Sequence, residues 1–418
     1  MAEAIILVAG NDILQGTGGH PTYVRAHARA ARKAGFQPHL FSLGRRKDVV
    51  ETEFGTVHRV PVLLDAERIP VLRHRKNQLV WRYAVLARAV ASFVLSHRKV
   101  RLIHSFGVFG CVGVMAHDIL RDYKIDVIPI LSSYDTATHE VTAKVHGLSS
   151  AHGSTQRLIH KLELMWARRV VAPFEQKGYL GSRIVLVNYE SVRQLLIASY
   201  GIGDKIRKLP YSSEAAFRRP SAASTFAGTA AGDGIRGDAP LVMAISRHDA
   251  RKGVDILLHA LARLKCAGVR FRACLIGGGA LLARHRRLAE QLELGGTTAI
   301  LGTVPDPYPY LEGADIFVLP SLEEGSGSLS LLEALQAGVA SIASNVDGIH
   351  EDVSGETTLL VPPADPAELA CAIERLLRDT TLRRNMAERS RCTFETRFSA
   401  DVFSKELRRT YAELGVVP

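Results

Sequence analysis

At 418 residues, 47% hydrophobic and 23% charged, the chain has the composition of a soluble globular protein and is too long for one typical core, so two domains are expected. No window approaches 18 uninterrupted apolar residues, which argues against a membrane-spanning helix. Net charge is +11, from 53 Lys and Arg against 42 Asp and Glu. Such a surface attracts phosphates, anionic lipid or nucleic acid, or serves solubility alone. Nucleic acid is the weakest of these partners, because aromatics are only 6% and no basic run is interleaved with them. The five cysteines (Cys111, Cys266, Cys274, Cys371, Cys392) are scattered and lack metal-ligand spacing. A reduced, cytoplasmic compartment without structural zinc is the simplest reading.

Taken in chain order, Met1-Ala-Glu-Ala-Ile-Ile-Leu-Val-Ala reads as the start of a first strand, Ile5–Ala9, rather than a signal peptide. Gly16-Thr-Gly18-Gly19-His-Pro follows it and precedes a helix over Tyr23–Ala34, stopped by Gly35. Glycines there let backbone approach a ligand and the helix N-terminus favours an anion; the alternative is a tight turn and nothing more. The pattern is not G-x-G-x-x-G, and no acidic residue stands where a dinucleotide ribose needs one. Gln37–Leu43, Leu102–Ser105, Val127–Ser132 and Arg183–Val187 read as strands, with helices over Asn77–Ser96 and Cys111–Tyr123. This alternation predicts a mostly parallel sheet covered on both faces. His104 ends one strand, and Ser132-Ser-Tyr134-Asp135 leads to His139-Glu140; His104, Tyr134 and His139 are candidates for sugar or acceptor contact.

Ser221–Asp238 changes character: it is rich in Ala, Gly, Ser and Thr and has no periodicity. A flexible linker or surface insertion over 215–239 is expected, between a domain of 1–214 and a second of 240–397. The alternation restarts with strands at Leu241–Ile245, Phe271–Ile276 and Ala299–Leu301 and helices at Val254–Lys265 and Leu281–Leu292. Ile245-Ser-Arg247-His-Asp-Ala-Arg-Lys252-Gly253 joins a strand to a helix. Arg247 and Lys252 can both point at one anion, Arg by paired hydrogen bonds and Lys as a point charge; the alternative is a solvated basic loop. Leu275-Ile-Gly277-Gly-Gly279, and Gly302 to Val304 after the next strand, are weaker sites for backbone contact.

The most informative stretch is Ser321-Leu-Glu-Glu324-Gly-Ser-Gly-Ser328-Leu329-Ser330-Leu-Leu-Glu333-Ala-Leu-Gln-Ala-Gly338. It follows the apolar run Asp315–Pro320, read as a buried strand, and closes in a helix over Leu329–Ala337. Strand, glycine-rich loop and helix set free N–H groups against an anion. Glu324 and Glu333 are hydroxyl acceptors rather than phosphate ligands. A phosphate cradle beside hydroxyl acceptors suggests a nucleotide-sugar pocket. A strand at Ala340–Ala343 and helices at Pro366–Leu377, Thr381–Glu395 and Asp401–Leu414 follow, the last able to cross back onto the first domain. No G-x-S-x-G, P-loop or Cys/His/Asn arrangement supports a hydrolase or kinase.

In these residues the chain resembles glycosyltransferase family 4, most strongly from Leu241 to Leu377. Ser246-Arg247…Lys252-Gly253, Gly313-Ala-Asp-Ile-Phe-Val-Leu-Pro-Ser321, Glu333-Ala-Leu-Gln-Ala-Gly338, Asp347-Gly-Ile-His-Glu351, Leu360-Val-Pro-Pro-Ala-Asp365 and Gly18-Gly19 carry the likeness. The resemblance implies an α/β GT-B fold: two Rossmann-like doubly wound domains facing across a cleft. The first, acceptor-side domain (1–214) would be joined by a C-terminal helix over 398–418, and the domain of 240–397 would bind the nucleotide sugar. It implies retaining transfer of a hexosyl unit from a nucleotide diphosphate sugar to a saccharide or lipid-linked acceptor, in envelope or exported glycoconjugate synthesis, with no cofactor and no metal. Arg247, Lys252 and Glu324 would carry the chemistry. Gly18, Gly19, Gly277, Val304, Ser328, Leu329, Ser330 and Glu333 would bind the donor. A cytoplasmic location, in contact with an anionic membrane surface, would suit the charge. Two departures stand out. Eight residues separate Glu324 from Glu333 where the family has seven, so the loop bulges or Glu324 is displaced; and Tyr134 stands where the family often has His. A GT-B nucleotide-sugar epimerase and a non-catalytic nucleotide-sugar binding protein are the competing readings.

Overall fold

The computed structural model describes residues 3–14, 18–62, 80–134, 136, 161–217, 237–325 and 327–418. The chain divides into two compact units, Met1–Glu214 with Ala400–Pro418, and Ala215–Ser399. The expected linker lies largely outside the described residues, which resume at Gly237.

In the first unit the elements run β1 (Ala4–Gly10), α1 (Gly19–Lys33), β2 (Gln37–Gly44), β3 (Asp48–Thr52), β4 (Gly55–Pro61), α2 (Trp81–Ser96), β5 (Leu102–Phe106), α3 (Gly110–Arg121), β6 (Ile128–Ser132), α4 (Ala172–Gly181), β7 (Val185–Val187), α5 (Glu190–Tyr200) and β8 (Ile206–Lys208). Among the described residues they form an eight-stranded sheet in the order β3-β4-β2-β1-β5-β6-β7-β8. Neighbours are parallel except the β3–β4 pair at the edge. Helices on both faces demand strands apolar on both faces, and Ile5, Ile6, Leu7 and Val8 of β1 are fully buried. The sequence reading misses β3 and β4. β3 is Asp-Val-Val-Glu-Thr, an edge strand with no buried residue, so it lacks the apolar run that marks its neighbours.

The second unit runs β9 (Leu241–Ile245), α6 (Val254–Cys266), β10 (Arg272–Ile276), α7 (Leu282–Gln291), β11 (Thr298–Gly302), α8 (Tyr308–Glu312), β12 (Ile316–Leu319), α9 (Leu329–Ala337), β13 (Ala340–Ser344), α10 (Ile349–Asp352), β14 (Thr358–Val361), α11 (Pro366–Arg378) and α12 (Thr380–Arg397). Its parallel sheet has the order β11-β10-β9-β12-β13-β14. From β9 the chain steps outward to β10 and β11, then returns to the other side of β9 as β12. The strand order therefore reverses between β9 and β12, and in open α/β sheets the loops leaving the carboxyl ends at such a reversal splay apart and leave a crevice. The core beneath is built from Leu257, Leu258 and Leu261 of α6 against Val242, Leu275, Val318 and Ile342 of the sheet.

The last helix, α13 (Ala400–Ala412), belongs to the first unit and packs on α1. The contact is aromatic: the Phe403 ring stands edge-on to His27 at 4.8 Å, and the Tyr411 ring edge-on to Phe36 at 5.4 Å. Nδ1 of His104 on β5 lies 2.8 Å from the Tyr411 hydroxyl, and its Nε2 lies 2.8 Å from the Ser132 hydroxyl. Both partners are hydroxyls, which donate or accept, so the two bonds suit a neutral ring in either tautomer. Burial holds His104 well below its usual value and His27 at about 3. His27 donates Nδ1–H to the Tyr23 carbonyl, which leaves the proton-accepting Nε2 buried without a partner.

Both histidines titrate lower in the folded than in the unfolded chain, so the unfolded state takes up protons first as pH falls through about 6.5. The stability they confer is complete above that value and is lost progressively below it. For His27 alone the loss by pH 5 is about 2 kcal/mol. Urea melts at pH 7.5 and pH 5 should show this loss, and His27→Leu should flatten the dependence. Equal midpoints at the two pH values would contradict it.

Candidate functional site

The β9–α6 and β12–α9 loops meet at the strand-order reversal, and their backbones touch. Gly253, the last residue before α6, has φ +56°, and a Cβ there would lie 2.0 Å from the carbonyl oxygen of Pro320. No other residue fits. The N–H groups of Leu322 and Glu323 donate to the Arg251 carbonyl at 2.7 and 3.2 Å, stitching one loop to the other. Asp249 shapes the β9 loop locally, its carboxylate accepting from the Arg251 N–H at 3.1 Å.

This backbone contact brings two charged side chains together. Lys252 Nζ lies 2.6 Å from Glu324 Oε1, and the Ser321 hydroxyl donates to the same carboxylate oxygen. The pair is withdrawn from water, with the Lys252 side chain 15% exposed and that of Glu324 3%. A carboxylate so buried requires both its cation and its hydrogen bonds. Arg251 and Glu323 form a second, looser pair beside it at 3.5 Å.

The sequence reading couples Arg247 to Lys252; the folded chain couples Lys252 to Glu324. Arg247 remains 58% exposed, with Nη2 3.2 Å from Asp249. The helix after the acidic loop starts as read. Ser328 is the N-cap of α9, and its hydroxyl accepts from the Leu331 N–H. The N–H groups of Leu329 and Ser330 open the helix and have no acceptor within it. Glu333 is half-buried between the buried Leu332 and Ala334. Its charge reaches Tyr308, whose hydroxyl is pushed up to about 12, first by burial and then by Glu312 and Glu333.

Three expectations change. Gly277 has φ +147°, and its Cβ position falls 1.8 Å from the Ser246 carbonyl oxygen, so the backbone of the β9 loop already accounts for this glycine. Val304 follows β11, the edge strand of this sheet, and sits two strands beyond β9. His104 is not a surface group: it is fully buried and engaged with Tyr411 and Ser132, which removes it from contact with sugar or acceptor. It stands in the middle of β5, and the expectation that the last helix crosses back onto the first domain did not say which residues that helix would cover.

In the first unit Gly18 caps α1, and Gly19 is already its first residue. Among the described residues a Cβ on either would meet nothing within 4 Å. Tyr134 follows β6, with its ring edge-on to Tyr23 at 4.6 Å and to His20 at 5.8 Å; its hydroxyl is buried without a hydrogen-bond partner. His139 lies outside the described residues. Among the described residues no group of three His, Cys, Asp or Glu is placed to hold a metal, and no helix is long and apolar enough to cross a membrane.

One residue is named in the sequence reading but given no role there. Asp347, after β13, accepts from the N–H groups of Glu324 and Gly325 at 2.6 and 2.9 Å. The only signal available was its place in Asp347-Gly-Ile-His-Glu351, which says nothing of what the carboxylate holds.

Residues 230–393 match the family of glycosyl transferases, group 1. Over 168 residues the chain is 33% identical to the lipopolysaccharide core biosynthesis glycosyltransferase LpsE of Rhizobium meliloti, a match that covers 40% of this chain and 48% of that protein, about half its length. Over 302 residues it is 26% identical to a GDP-mannose-dependent monoacylated α-(1-6)-phosphatidylinositol monomannoside mannosyltransferase of Corynebacterium glutamicum, covering 69% and 77% of the two chains. Among solved structures, sucrose-phosphate synthase of Thermosynechococcus elongatus superposes with a TM-score of 0.75 at 23% identity over 99% of both chains. The fold is that of the GT-B glycosyltransferases, with two Rossmann-like units.

The buried Lys252–Glu324 pair makes a prediction independent of any ligand. Lys252→Met should destabilise the protein by about 3 kcal/mol, because it strands the Glu324 carboxylate. Lys252→Met with Glu324→Leu should recover most of that loss. Urea denaturation of the two variants checks both; a change under about 0.5 kcal/mol in the single variant would mean that the pair is not buried in solution.

Proposed function

We propose that the chain is a retaining glycosyltransferase that moves a hexosyl unit from a nucleotide diphosphate sugar to a saccharide or lipid-linked acceptor in envelope polysaccharide or glycolipid synthesis. The observation that carries this is the Lys252–Glu324 pair at the strand reversal, one loop away from the N-terminus of α9. A cation for the diphosphate, a carboxylate for sugar hydroxyls and free helix N–H groups for phosphate oxygens are what such a donor requires. The group 1 match across the same residues and the glycosyltransferase names of the relatives support it.

In this reading Lys252 and Arg247 balance the charge that builds on the departing diphosphate, and the Leu329 and Ser330 N–H groups meet its oxygens. Glu333 accepts from the ribose hydroxyls and Glu324 from those of the donor sugar. Gly277 acts by bracing the β9 loop. The acceptor oxygen attacks the anomeric carbon on the face the diphosphate leaves. The new carbon–oxygen bond forms as the carbon–phosphate oxygen bond breaks, and the acceptor proton passes to the leaving phosphate oxygen. No protein nucleophile and no metal is needed. Tyr134, with its unpartnered hydroxyl, is the side chain of the first unit best suited to an acceptor.

Thermal shifts against UDP, GDP and ADP test the donor site. At a ligand concentration a hundred times Kd, binding stabilises the fold by about 2.7 kcal/mol. One base should raise the Tm, and Arg247→Ala and Glu333→Ala should each weaken binding about tenfold or more. No shift with any of the three would count against the donor assignment. The anomeric configuration of the product, read by NMR, decides retention.

A cytoplasmic protein working at an anionic membrane surface is part of the same reading. Leu162, Met165 and Trp166 are exposed apolar side chains in a stretch that also carries Lys161, Arg168 and Arg169. Vesicles containing phosphatidylglycerol should retain the protein at low salt and release it as the salt concentration rises. Failure to sediment with them at low salt would remove the membrane from the account.

A further inference from the structure

We propose that Asp347 is the positioning residue of the acidic loop, a clamp that fixes where Glu324 stands. Its Oδ2 accepts from two consecutive backbone N–H groups, Glu324 at 2.6 Å and Gly325 at 2.9 Å. Consecutive amides that converge in this way make a concavity for an anion. Here the chain fills that concavity itself, with a carboxylate from the next strand's loop.

The loop needs such an anchor at this point. On its N-terminal side it is tied to the β9 loop through Leu322, Glu323 and the Glu324 carboxylate. On its C-terminal side Gly325 and Gly327 have φ +67° and +120°, conformations that glycine adopts without the steric cost a side chain would bring. This is also the stretch that carries one residue more than the seven-residue spacing would allow. Asp347 grips the chain at the junction between the tied and the glycine-rich halves. Held there, Glu324 keeps its contact with Lys252.

Asp347 itself stands in a left-handed conformation, at φ +47°. Aspartate is among the few non-glycine residues that tolerate this region, and the residue is held there by the tight turn in which Ile349 N–H donates to the Val346 carbonyl at 3.1 Å. A charge-assisted double hydrogen bond offsets the backbone cost. The clamp therefore couples the β13 loop to the β12 loop, as Gly253 couples the β12 loop to the β9 loop.

The catalytic consequence rests on the donor-site reading: Arg247 and the α9 N-terminus hold the diphosphate independently of the clamp, whereas the clamp sets the carboxylate that faces the sugar and reaches the diphosphate only through its partner Lys252. Loss of Asp347 should therefore lower turnover by more than it weakens nucleoside diphosphate affinity. The test has two parts. Amide hydrogen exchange at Glu324 and Gly325 is measured on the free protein, wild type against Asp347→Ala and Asp347→Asn. Hydrolysis of UDP-glucose, GDP-mannose and ADP-glucose is measured alongside the affinities for UDP, GDP and ADP. Asp347→Ala should speed exchange of both amides by about ten- to a hundredfold and slow hydrolysis comparably, as expected for hydrogen bonds to a charged acceptor. Asp347→Asn, which keeps an oxygen in place, should recover much of both. If Asp347→Ala does not fold, Asp347→Gly removes the carboxylate while relieving the left-handed backbone. Unchanged exchange in the variant overturns the clamp. Faster exchange with unchanged hydrolysis overturns its positioning role. A wild type that binds none of the three diphosphates overturns the donor-site reading instead, and the exchange rates still decide the clamp.

Discussion

Lys252 and Glu324 are 72 residues apart in the chain and 2.6 Å apart in the fold, because two loops that leave adjacent strands are forced into backbone contact. The contact allows only glycine at 253 and satisfies Leu322 and Glu323 through one carbonyl. Burying an ion pair costs several kcal/mol in lost hydration, and mutual attraction offsets that cost only when geometry is held and the remaining lone pairs are filled. Ser321 fills one, and the stitched loops hold the geometry. A pair of this kind adds little net stability. It is consistent instead with a site whose charges must be present before a charged ligand arrives.

Preorganisation spreads outward from that contact. The β10 loop supports the β9 loop through Gly277, and the β13 loop supports the acidic loop through Asp347. Four consecutive strands of one sheet, β10-β9-β12-β13, thus send loops that brace one another at their carboxyl ends. Arg247 is the exception. It is exposed and, among the described residues, paired with Asp249 in the same loop, an exposed pair that costs little to break when a ligand arrives.

The first unit uses its polar residues differently. His104 is a buried polar group whose bonds to Ser132 and Tyr411 join two strands and the returning C-terminal helix. Buried networks of this kind specify one packing arrangement, at the cost of sensitivity to any event that charges a member.

Much of this architecture was legible in the residue order. Apolar runs and their glycine stops mark the central strands and most helices to within one or two residues, as at Leu241–Ile245 and Leu329–Ala337, because hydrophobic periodicity is a local property. Edge strands such as β3 and β8 bury too little to leave that signature: β3 has no buried residue and β8 only Ile206. The sequence by itself determined the β/α alternation, the glycines at loop starts and the placing of basic and acidic residues in loops that follow strands. Only the tertiary structure decided that Lys252 meets Glu324 rather than Arg247, that His104 lies beneath a helix 300 residues downstream, and that Asp347 holds the acidic loop. The physical reason is strand order. Which loops become neighbours depends on where β12 joins the sheet, and that is settled by burial of the whole core rather than by any local pattern.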